Sequence, residues 1–328
     1  MEENRPKWRW GFNRWLVLLF IVLGFFAARA FPPVLPAIRL AAEPVMYIGN
    51  FAWTNTLWAM VIGDVILLAI AFVVRRAVNR GNLVPGGLAG AVEALLEVIY
   101  NLTESTAGRW AKTIFPYFAT ITLLVLIANW LELIPGVDSI GIIEHAENGA
   151  GHAIQQLAPG VATIVKAEGD YVIVPYVRVL STDLNFTVAL ALISVFMTQV
   201  IGVRALGAGY FKKFINLGGV FSKPVFGAID FAVGLLEMVS EFSKILSFSF
   251  RLFGNLFAGT VLLFVIGSLV PVFAQSIFLL LEFFVGIIQA LVFGMLTMVF
   301  MSLATQGHAE HEEHAETAEM PIEGPEMI

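Results

Sequence analysis

Cysteine is absent from the 328-residue sequence, which excludes disulfides, thiolate metal sites and a cysteine nucleophile. Charge is also scarce, because 13% of the residues are charged, against about 25% in soluble domains. The formal net charge of -6 argues against a nucleic-acid partner. The sequence has neither a Walker-type glycine loop nor an H-E-x-x-H zinc motif, so nucleotide chemistry and metalloprotease activity are not expected of this chain.

Long uncharged runs are what the sequence has instead, and 58% of its residues are hydrophobic. A helix needs about 20 apolar residues to cross a hydrocarbon core of about 30 Å, and several runs reach that length. Their apolar residues are continuous rather than alternating, which favours helices over strands. The sequence therefore predicts an all-α integral membrane protein, surrounded by lipid, with about five to six membrane helices.

The predicted spans differ in length. Three are ordinary, at 53–74, 113–131 and 184–203. Residues 85–109 carry three glutamates at helical spacing among apolar neighbours, which is typical of an amphipathic helix at the membrane surface. The last two segments, 229–270 and 272–304, are too long to stand upright, since the first would measure about 63 Å as a helix. We expect them to tilt strongly and to form a hairpin near Pro271.

Composition divides the chain into three parts. Residues 1–52 are a basic segment that contains either an extra membrane helix or a signal peptide cleaved after Ala30. Residues 53–304 form the membrane domain. Its acidic loop at 132–183 is expected on the outer side, because basic residues concentrate on the cytoplasmic side. Residues 305–328 are an acidic tail, rich in Glu and His, for which we expect disorder.

Three histidines in the tail, His308, His311 and His314, have a spacing that would place them on one helix face and suit a metal site. A solvated, disordered tail is the alternative, and it fits the acidic composition better. We therefore predict no metal and no cofactor.

One arginine interrupts an uncharged run that begins at residue 247. An arginine at the centre of a membrane helix costs about 2.5–3.5 kcal/mol on insertion scales, so it persists where it faces protein or water. Several polar residues fall within about 40° of Arg251 on one helix face: Glu237, Ser240, Lys244, Ser247 and Asn255. The serines and Asn255 also fit ordinary hydrogen bonds between helices. Arg251 needs several acceptors, so its carboxylate partner is expected on another helix or another chain.

Glu282 and Gln289 are seven residues apart and share one face of the last predicted helix. An ionised glutamate in hydrocarbon is costly, so Glu282 should be protonated or lie in a wet cavity. Both options suit a proton relay. A hydrogen bond that only packs two helices is the alternative.

The motif RLFGNLFAG at 251–259, with LLEMVSEFSK before it and IIQALVFGMLTMVFMSLA after it, resembles the a subunit of rotary F-type ATP synthases. NWLELIP at 129–135 and STDLNFTVALAL at 181–192 agree with that family in the same order. The resemblance implies a multi-pass stator subunit of the bacterial inner membrane, without catalytic chemistry of its own. It also implies a c-subunit ring and b-type peripheral stalk subunits as partners, and H+ as the transported ion, with Na+ left open.

The resemblance also implies roles for individual residues. Arg251 would be the essential arginine between two offset half-channels, where it attracts a c-subunit carboxylate and blocks proton leakage. The cytoplasmic half-channel would use Glu237, Ser240 and Lys244. The outer half-channel would use Asn129, Glu132, Asn255, Thr260, Glu282 and Gln289.

The sequence departs from the family pattern at two positions. Many bacterial relatives carry glutamate at the position of Thr260 and histidine at that of Glu282, so the carboxylate here lies on the other helix. A stand-alone ion channel or secondary transporter that uses Arg251 and Glu282 is the alternative function, although no inverted repeat is visible in the sequence.

Overall fold

The structure is a computed structural model, and it describes residues 10–30, 41–79, 87–134, 136–146, 151–214, 224–270 and 273–306. The chain forms two compact units. Unit 1 comprises Met1–Met60, Asn129–Thr182 and Asn255–Gly286, and unit 2 comprises Val61–Ala128, Asp183–Gly254 and Ile287–Ile328.

Seven α-helices are described. They are α1 (Trp10–Ala30), α2 (Asn55–Asn79), α3 (Leu88–Ala107), α4 (Ala111–Trp130), α5 (Leu184–Leu206), α6 (Pro224–Leu269) and α7 (Phe273–Ala304). In this part of the chain five helical segments are long and apolar enough to cross a membrane, one of them running from α3 through α4. The predicted helical membrane architecture, including two long C-terminal helices, is therefore confirmed.

The core of unit 2 shows why α3 is amphipathic. Glu93 and Glu97 are exposed, whereas Ile99 on the opposite face is buried. Ile99 belongs to a cluster that includes Phe118 of α4 and Met301 of α7. Van der Waals packing of such side chains holds these helices together, because lipid offers no hydrophobic drive between membrane helices.

Helices α6 and α7 pair antiparallel within each unit. In unit 2 the rings of Phe248 and Phe293 lie 5.3 Å apart. In unit 1 a Cβ at Gly267 would lie 3.2 Å from Gln275, which continues the same pairing toward the turn. The predicted hairpin is therefore present, while the turn residue Pro271 lies outside the described residues and the tilt in the bilayer stays a prediction.

Unit 1 contains strands that the sequence analysis did not predict. β1 (Pro44–Ile48) and β2 (Phe51–Thr54) form a hairpin. β3 (Gly141–His145), β4 (Gly151–Ala158), β5 (Val161–Gly169) and β6 (Tyr171–Pro175) form an antiparallel sheet in the order β3-β6-β4-β5. The sequence signal for these strands is the proline followed by glycine between β4 and β5, because this pair suits a tight turn. Gly160 there adopts φ 81.

The two chain ends contain helix α1 and the three spaced histidines of the tail. Helix α1 has an apolar stretch at 14–26, which fits both an extra membrane helix and the apolar part of a signal peptide. The tail histidines His308, His311 and His314 lie outside the described residues. Within the described ranges, no group of three His, Asp or Glu side chains forms a metal site.

Candidate functional site

Arg251 lies on α6 with its side chain exposed. Its Nη2 donates to the hydroxyl of Ser247, one turn earlier, at 3.3 Å. In the part of the chain that the structure describes, no carboxylate lies within 4.0 Å of its guanidinium nitrogens. Most of the five N–H donors of this permanent cation are therefore uncommitted.

The face of α6 around Arg251 in unit 2 is made of small or polar residues. Ser240, Ser243, Ser247 and Gly254 are all exposed there. A Cβ added at Gly254 would meet nothing within 4 Å. Other exposed positions of the helix carry large side chains such as Phe242 and Leu246. A face of small residues lets another helix approach closely.

Glu241 is a buried carboxylate whose two oxygens are both bonded in unit 2. Its Oε1 accepts a hydrogen bond from Lys244 Nζ at 2.8 Å, and its Oε2 accepts one from Gln199 Nε2 at 2.9 Å. The hydroxyl of Tyr210 donates to Gln199 Oε1 at 2.7 Å. The Lys244 ammonium also lies 4.7 Å from the centre of the Phe300 ring, a cation–π contact. We call Gln199, Tyr210, Glu241 and Lys244 the ion-pair cluster.

Tyr210 reaches this cluster because α5 ends sharply. Gly207, directly after the helix, adopts φ 62, which glycine tolerates without steric cost. The following 3-10 turn folds the Tyr210 ring onto Gly202, where a Cβ would overlap the ring. Burial, and then the nearby Glu241 and Glu237 carboxylates, raise the pKa of Tyr210, so the phenol remains a neutral hydrogen-bond donor.

The residues predicted for the cytoplasmic path have different surroundings. Lys244 is committed to Glu241, while Glu237 is half-buried and Ser240 is exposed. Gln289 of α7 is half-buried in the same unit. Their roles in a proton path stay predictions.

A second cluster lies in unit 1, where the last turn of α4 is tied to α7. Asn129 Nδ2 donates to the carbonyl oxygen of Gly286 at 3.1 Å. The hydroxyl of Ser181 donates to Asn129 Oδ1 at 2.6 Å. Trp130 stacks on Phe283 with ring centres 5.0 Å apart. The end of α4 is therefore fixed against α7 in this unit.

Two buried carboxyl groups of unit 1 have no cationic partner among the residues that the structure describes. Glu132 follows α4 in a 3-10 turn, and its Oε1 is hydrogen-bonded to the hydroxyl of Thr260 on α6. The carboxyl group of Glu282 lies against Gly259, where a Cβ would overlap it. Oε2 of each glutamate is buried and has no hydrogen-bond partner within the described ranges. We call Asn129, Glu132, Ser181, Thr260 and Glu282 the carboxyl cluster.

Four of the six residues predicted for the outer half-channel thus belong to one cluster: Asn129, Glu132, Thr260 and Glu282. Asn255 is in the same unit and is exposed. Gly259 provides the space for the Glu282 carboxyl group.

The sequence analysis missed Gln199, Ser181, Tyr210 and Glu241. Glu241 lies ten residues before Arg251, which puts it about 80° away from the polar stripe on a helical projection. Gln199 is a polar residue inside an uncharged span, and such residues usually have a partner in the bundle. That signal was available in the sequence, whereas the position of Tyr210 depends on the fold of the turn after α5.

One further carboxyl group, Asp138, lies beyond the end of the α4 span in the turn Val137–Ser139. Burial raises the pKa of Asp138 from its ordinary value of 3.8 to about 6, and the charge of Arg178 opposes this rise. Arg178 Nη1 also donates to the carbonyl oxygen of Ala41 at 2.9 Å.

Comparison with known proteins adds independent support. A family model described as ATP synthase A chain matches residues 56–302, which is more than half of the chain. A protein from Pseudoalteromonas atlantica, named ATP synthase subunit a, is 34% identical over 277 residues, covering 80% of this chain and 92% of the relative. Two proteins of the same name, from Mycobacterium bovis and Aliarcobacter butzleri, are each 28% identical. Their alignments cover 81% and 82% of this chain and 92% and 97% of the relatives.

Proposed function

Because the chain belongs to the ATP synthase subunit a family, we propose that it is a stator subunit of an F-type ATP synthase in which Arg251 faces the carboxylates of a c-subunit ring. The protein is a multi-pass component of the bacterial inner membrane and of the membrane sector of the enzyme. Nucleotide chemistry then belongs to other subunits, and peripheral stalk subunits of the b type hold this one still.

The observation that carries the proposal is the exposed guanidinium of Arg251, which has no carboxylate partner in the described part of its own chain. A cation in a membrane helix needs an anionic or aqueous partner. The small residues beside it let a second helix come close enough for its carboxylate to meet Arg251. Arginine suits this role better than lysine, because it keeps its proton when it is desolvated.

A fixed positive charge here would also prevent leakage. One proton that moves down 100 mV releases about 2.3 kcal/mol, and a leak past the ring would lose that energy without turning it. The carboxyl cluster of unit 1 supports an outer path for the proton. The outer path uses the carboxyl cluster with Asn255 and Gln289, and the cytoplasmic path uses Glu237, Ser240 and Lys244.

We also propose that one domain of the chain carries out ion translocation. The ion-translocating domain is 53–304, which the family match at 56–302 supports. Residues 1–52 and 305–328 flank it.

The decisive experiment replaces Arg251 in the assembled ATP synthase in membrane vesicles. We expect Arg251→Ala and Arg251→Lys to abolish ATP synthesis driven by a proton gradient, while the complex still assembles. Arg204→Ala is the matched control, because Arg204 is also an exposed arginine at a helix of unit 2 and should be replaceable. Normal coupled synthesis by Arg251→Ala would overturn the proposal.

A reconstitution separates the proposal from a stand-alone channel or transporter. The purified chain alone in liposomes should not conduct protons, because the carboxylate opposite Arg251 is missing. Conduction that needs no c ring would favour the stand-alone function.

A further inference from the structure

The hairpin of β1 and β2 exposes large apolar side chains on both of its faces. Tyr47, next to the turn, is 68% exposed. Three more large apolar side chains of the hairpin, on the opposite face, are 42% to 56% exposed: Met46, Ile48 and Phe51. The sequence has no charged residue from 44 to 63, although exposed strands in water usually carry charges. Packing one face of this hairpin on protein would still leave the other face in water.

The base of the hairpin is joined rigidly to helix α2. The backbone N–H of Asn55, the fully buried first residue of α2, donates to the carbonyl oxygen of Glu43 at 3.0 Å. In return, the backbone N–H of Glu43 donates to Asn55 Oδ1 at 3.2 Å. Thr54 Oγ1 caps the helix by accepting from the N–H of Leu57 at 3.4 Å. The hairpin therefore keeps a fixed position relative to the start of α2.

A series of aromatic rings continues from the hairpin onto α2. The rings of Phe51 and Trp53 lie 6.3 Å apart, and those of Trp53 and Trp58 lie 5.6 Å apart. Trp and Tyr concentrate at the boundary between membrane and water, because their rings are apolar and their N–H or O–H groups need polar partners. The ring series thus begins on a helix that is long and apolar enough to cross a membrane.

The length of α2 sets the depth of the hairpin. Arg75 follows Asn55 after 20 residues of the helix, which is about 30 Å at about 1.5 Å per residue and equals the hydrocarbon thickness. Arg75 belongs at one membrane boundary, so Asn55 lies at the other. The hairpin does not enter the hydrocarbon, because in the described part of the chain β1 and β2 pair only with each other. Their outer backbone edges need water or lipid headgroups.

We propose that the β1–β2 hairpin is a lipid anchor, with its four exposed apolar side chains embedded between headgroups and acyl chains of the leaflet in which α2 begins. Lipid fits this surface better than a partner protein does, because it can cover both faces of the hairpin at once. The surface is also continuous with α2, of whose apolar stretch 11% is buried within the chain. The anchor holds the start of α2 at a constant depth. This role goes beyond the proposed function, since it involves neither Arg251 nor a c ring.

Depth-dependent fluorescence quenching tests the anchor on the full chain in vesicles of phosphatidylethanolamine and phosphatidylglycerol. Because the chain has no cysteine, one introduced cysteine carries one environment-sensitive probe. Tyr47→Cys reports on the hairpin. Leu68→Cys, near the middle of α2 and 67% exposed, is the reference for hydrocarbon. Gln156→Cys, exposed on β4, is the reference for water. All three side chains are exposed, so the probe does not disturb packing within the chain.

The three probes should respond to different quenchers. The probe at Tyr47 should be quenched most by a nitroxide on the lipid headgroup, and the probe at Leu68 most by a nitroxide near the acyl-chain end. The probe at Gln156 should be quenched most by iodide in the water. Equal iodide quenching at Tyr47 and Gln156 would overturn the proposal. A probe at Tyr47 that is shielded from iodide and from both nitroxides would place a protein on the hairpin and would overturn it as well.

Removing apolar side chains beside the probe gives a second readout. Ile48→Ser with Phe51→Ser should raise iodide quenching of the Tyr47 probe several-fold, because less apolar surface then holds the hairpin in lipid. Ile140→Ser with Leu157→Ser is the matched control, since these residues of unit 1 are 67% and 66% exposed outside the hairpin. Equal quenching after both double substitutions would contradict the anchor. Arg251→Ala should leave every probe unchanged, so this test and the test of the proposed function fail independently.

Discussion

The carboxyl cluster of unit 1 and the ion-pair cluster of unit 2 bury their glutamates to the same extent. Glu132, Glu241 and Glu282 are 8%, 8% and 6% exposed. Their partners differ, because Glu241 has an ammonium and an amide on its two oxygens, whereas Glu132 has one hydroxyl contact. Burial alone therefore does not distinguish a fixed charge from an exchangeable proton, and the hydrogen-bond partners do.

The difference teaches what each cluster is suited to do. A carboxylate with its lone pairs filled by Lys244 and Gln199 gains little from a proton and would lose a salt bridge by taking one. A carboxyl group with an unpartnered oxygen can accept and release a proton without breaking a strong bond. We therefore expect that removing the charge of Glu241 in unit 2 lowers the stability of the protein strongly. Removing the carboxyl group of Glu132 or Glu282 in unit 1 should lower it little.

The largest effect is expected for Glu241→Gln, which leaves the Lys244 ammonium without its carboxylate. The unfolding free energy should fall by about 3 kcal/mol, the lower end of the range measured when one partner of a buried ion pair is removed. The lower end applies because the Lys244 side chain is 19% exposed. Glu282→Gln, the matched change in unit 1, should cost less than about 1 kcal/mol because no cation is stranded. Chemical unfolding of the purified chain in detergent measures both, and equal losses would contradict the comparison.

Gly259→Ala should come next, because its Cβ would overlap the Glu282 carboxyl group. Overpacking of this kind costs about 2 kcal/mol, and the displaced carboxyl group should also slow proton pumping. Gly294→Ala overlaps Thr122 and Phe118 in unit 2 and should lower stability without slowing pumping. Gly254→Ala has open space within this chain and is the control for stability alone. Equal pumping by the Gly259 and Gly294 variants would argue against a transport role for Glu282.

Asp138 gives unit 1 a pH dependence. Its pKa is raised to about 6 in the folded protein from 3.8, so the folded state binds the proton more tightly. The resulting stabilisation is complete below pH 3.8 and is lost as the pH rises through 6. Asp138→Asn should therefore raise stability by about 1–2 kcal/mol at pH 8 and change nothing at pH 3.5. Unfolding at the two pH values checks this, and a gain that is the same at both would refute it.

The smallest effect is expected for Tyr210→Phe, which removes the hydrogen bond to Gln199 and leaves the ring on Gly202. The cost should be about 1 kcal/mol, the typical value for one hydrogen bond. Tyr47→Phe is the control, because Tyr47 is 68% exposed. If both substitutions were silent in thermal unfolding, the ion-pair cluster would not extend to Tyr210.

The membrane helices were predictable because lipid imposes a simple rule on composition and length. The predicted 184–203 span became Leu184–Leu206, and the predicted 113–131 span became Ala111–Trp130. The sheet of β3 to β6 was not predicted, because short strands in a polar loop carry a weak pattern in which only the turn residues are distinctive. Glu241 was missed because it lies about 80° from the polar stripe, and its contact with Gln199, 42 residues away in the chain, is not a local pattern.

The sequence by itself determined that this is a helical membrane protein with one cation in an apolar span, because charge and length are properties of single segments. It also determined which polar residues are available for a proton path. Tertiary structure decided which of them meet. That Glu132 reaches Thr260, 128 residues away, and that Gln199 reaches Glu241, 42 residues away, depends on how the helices pack, and no local pattern encodes these contacts.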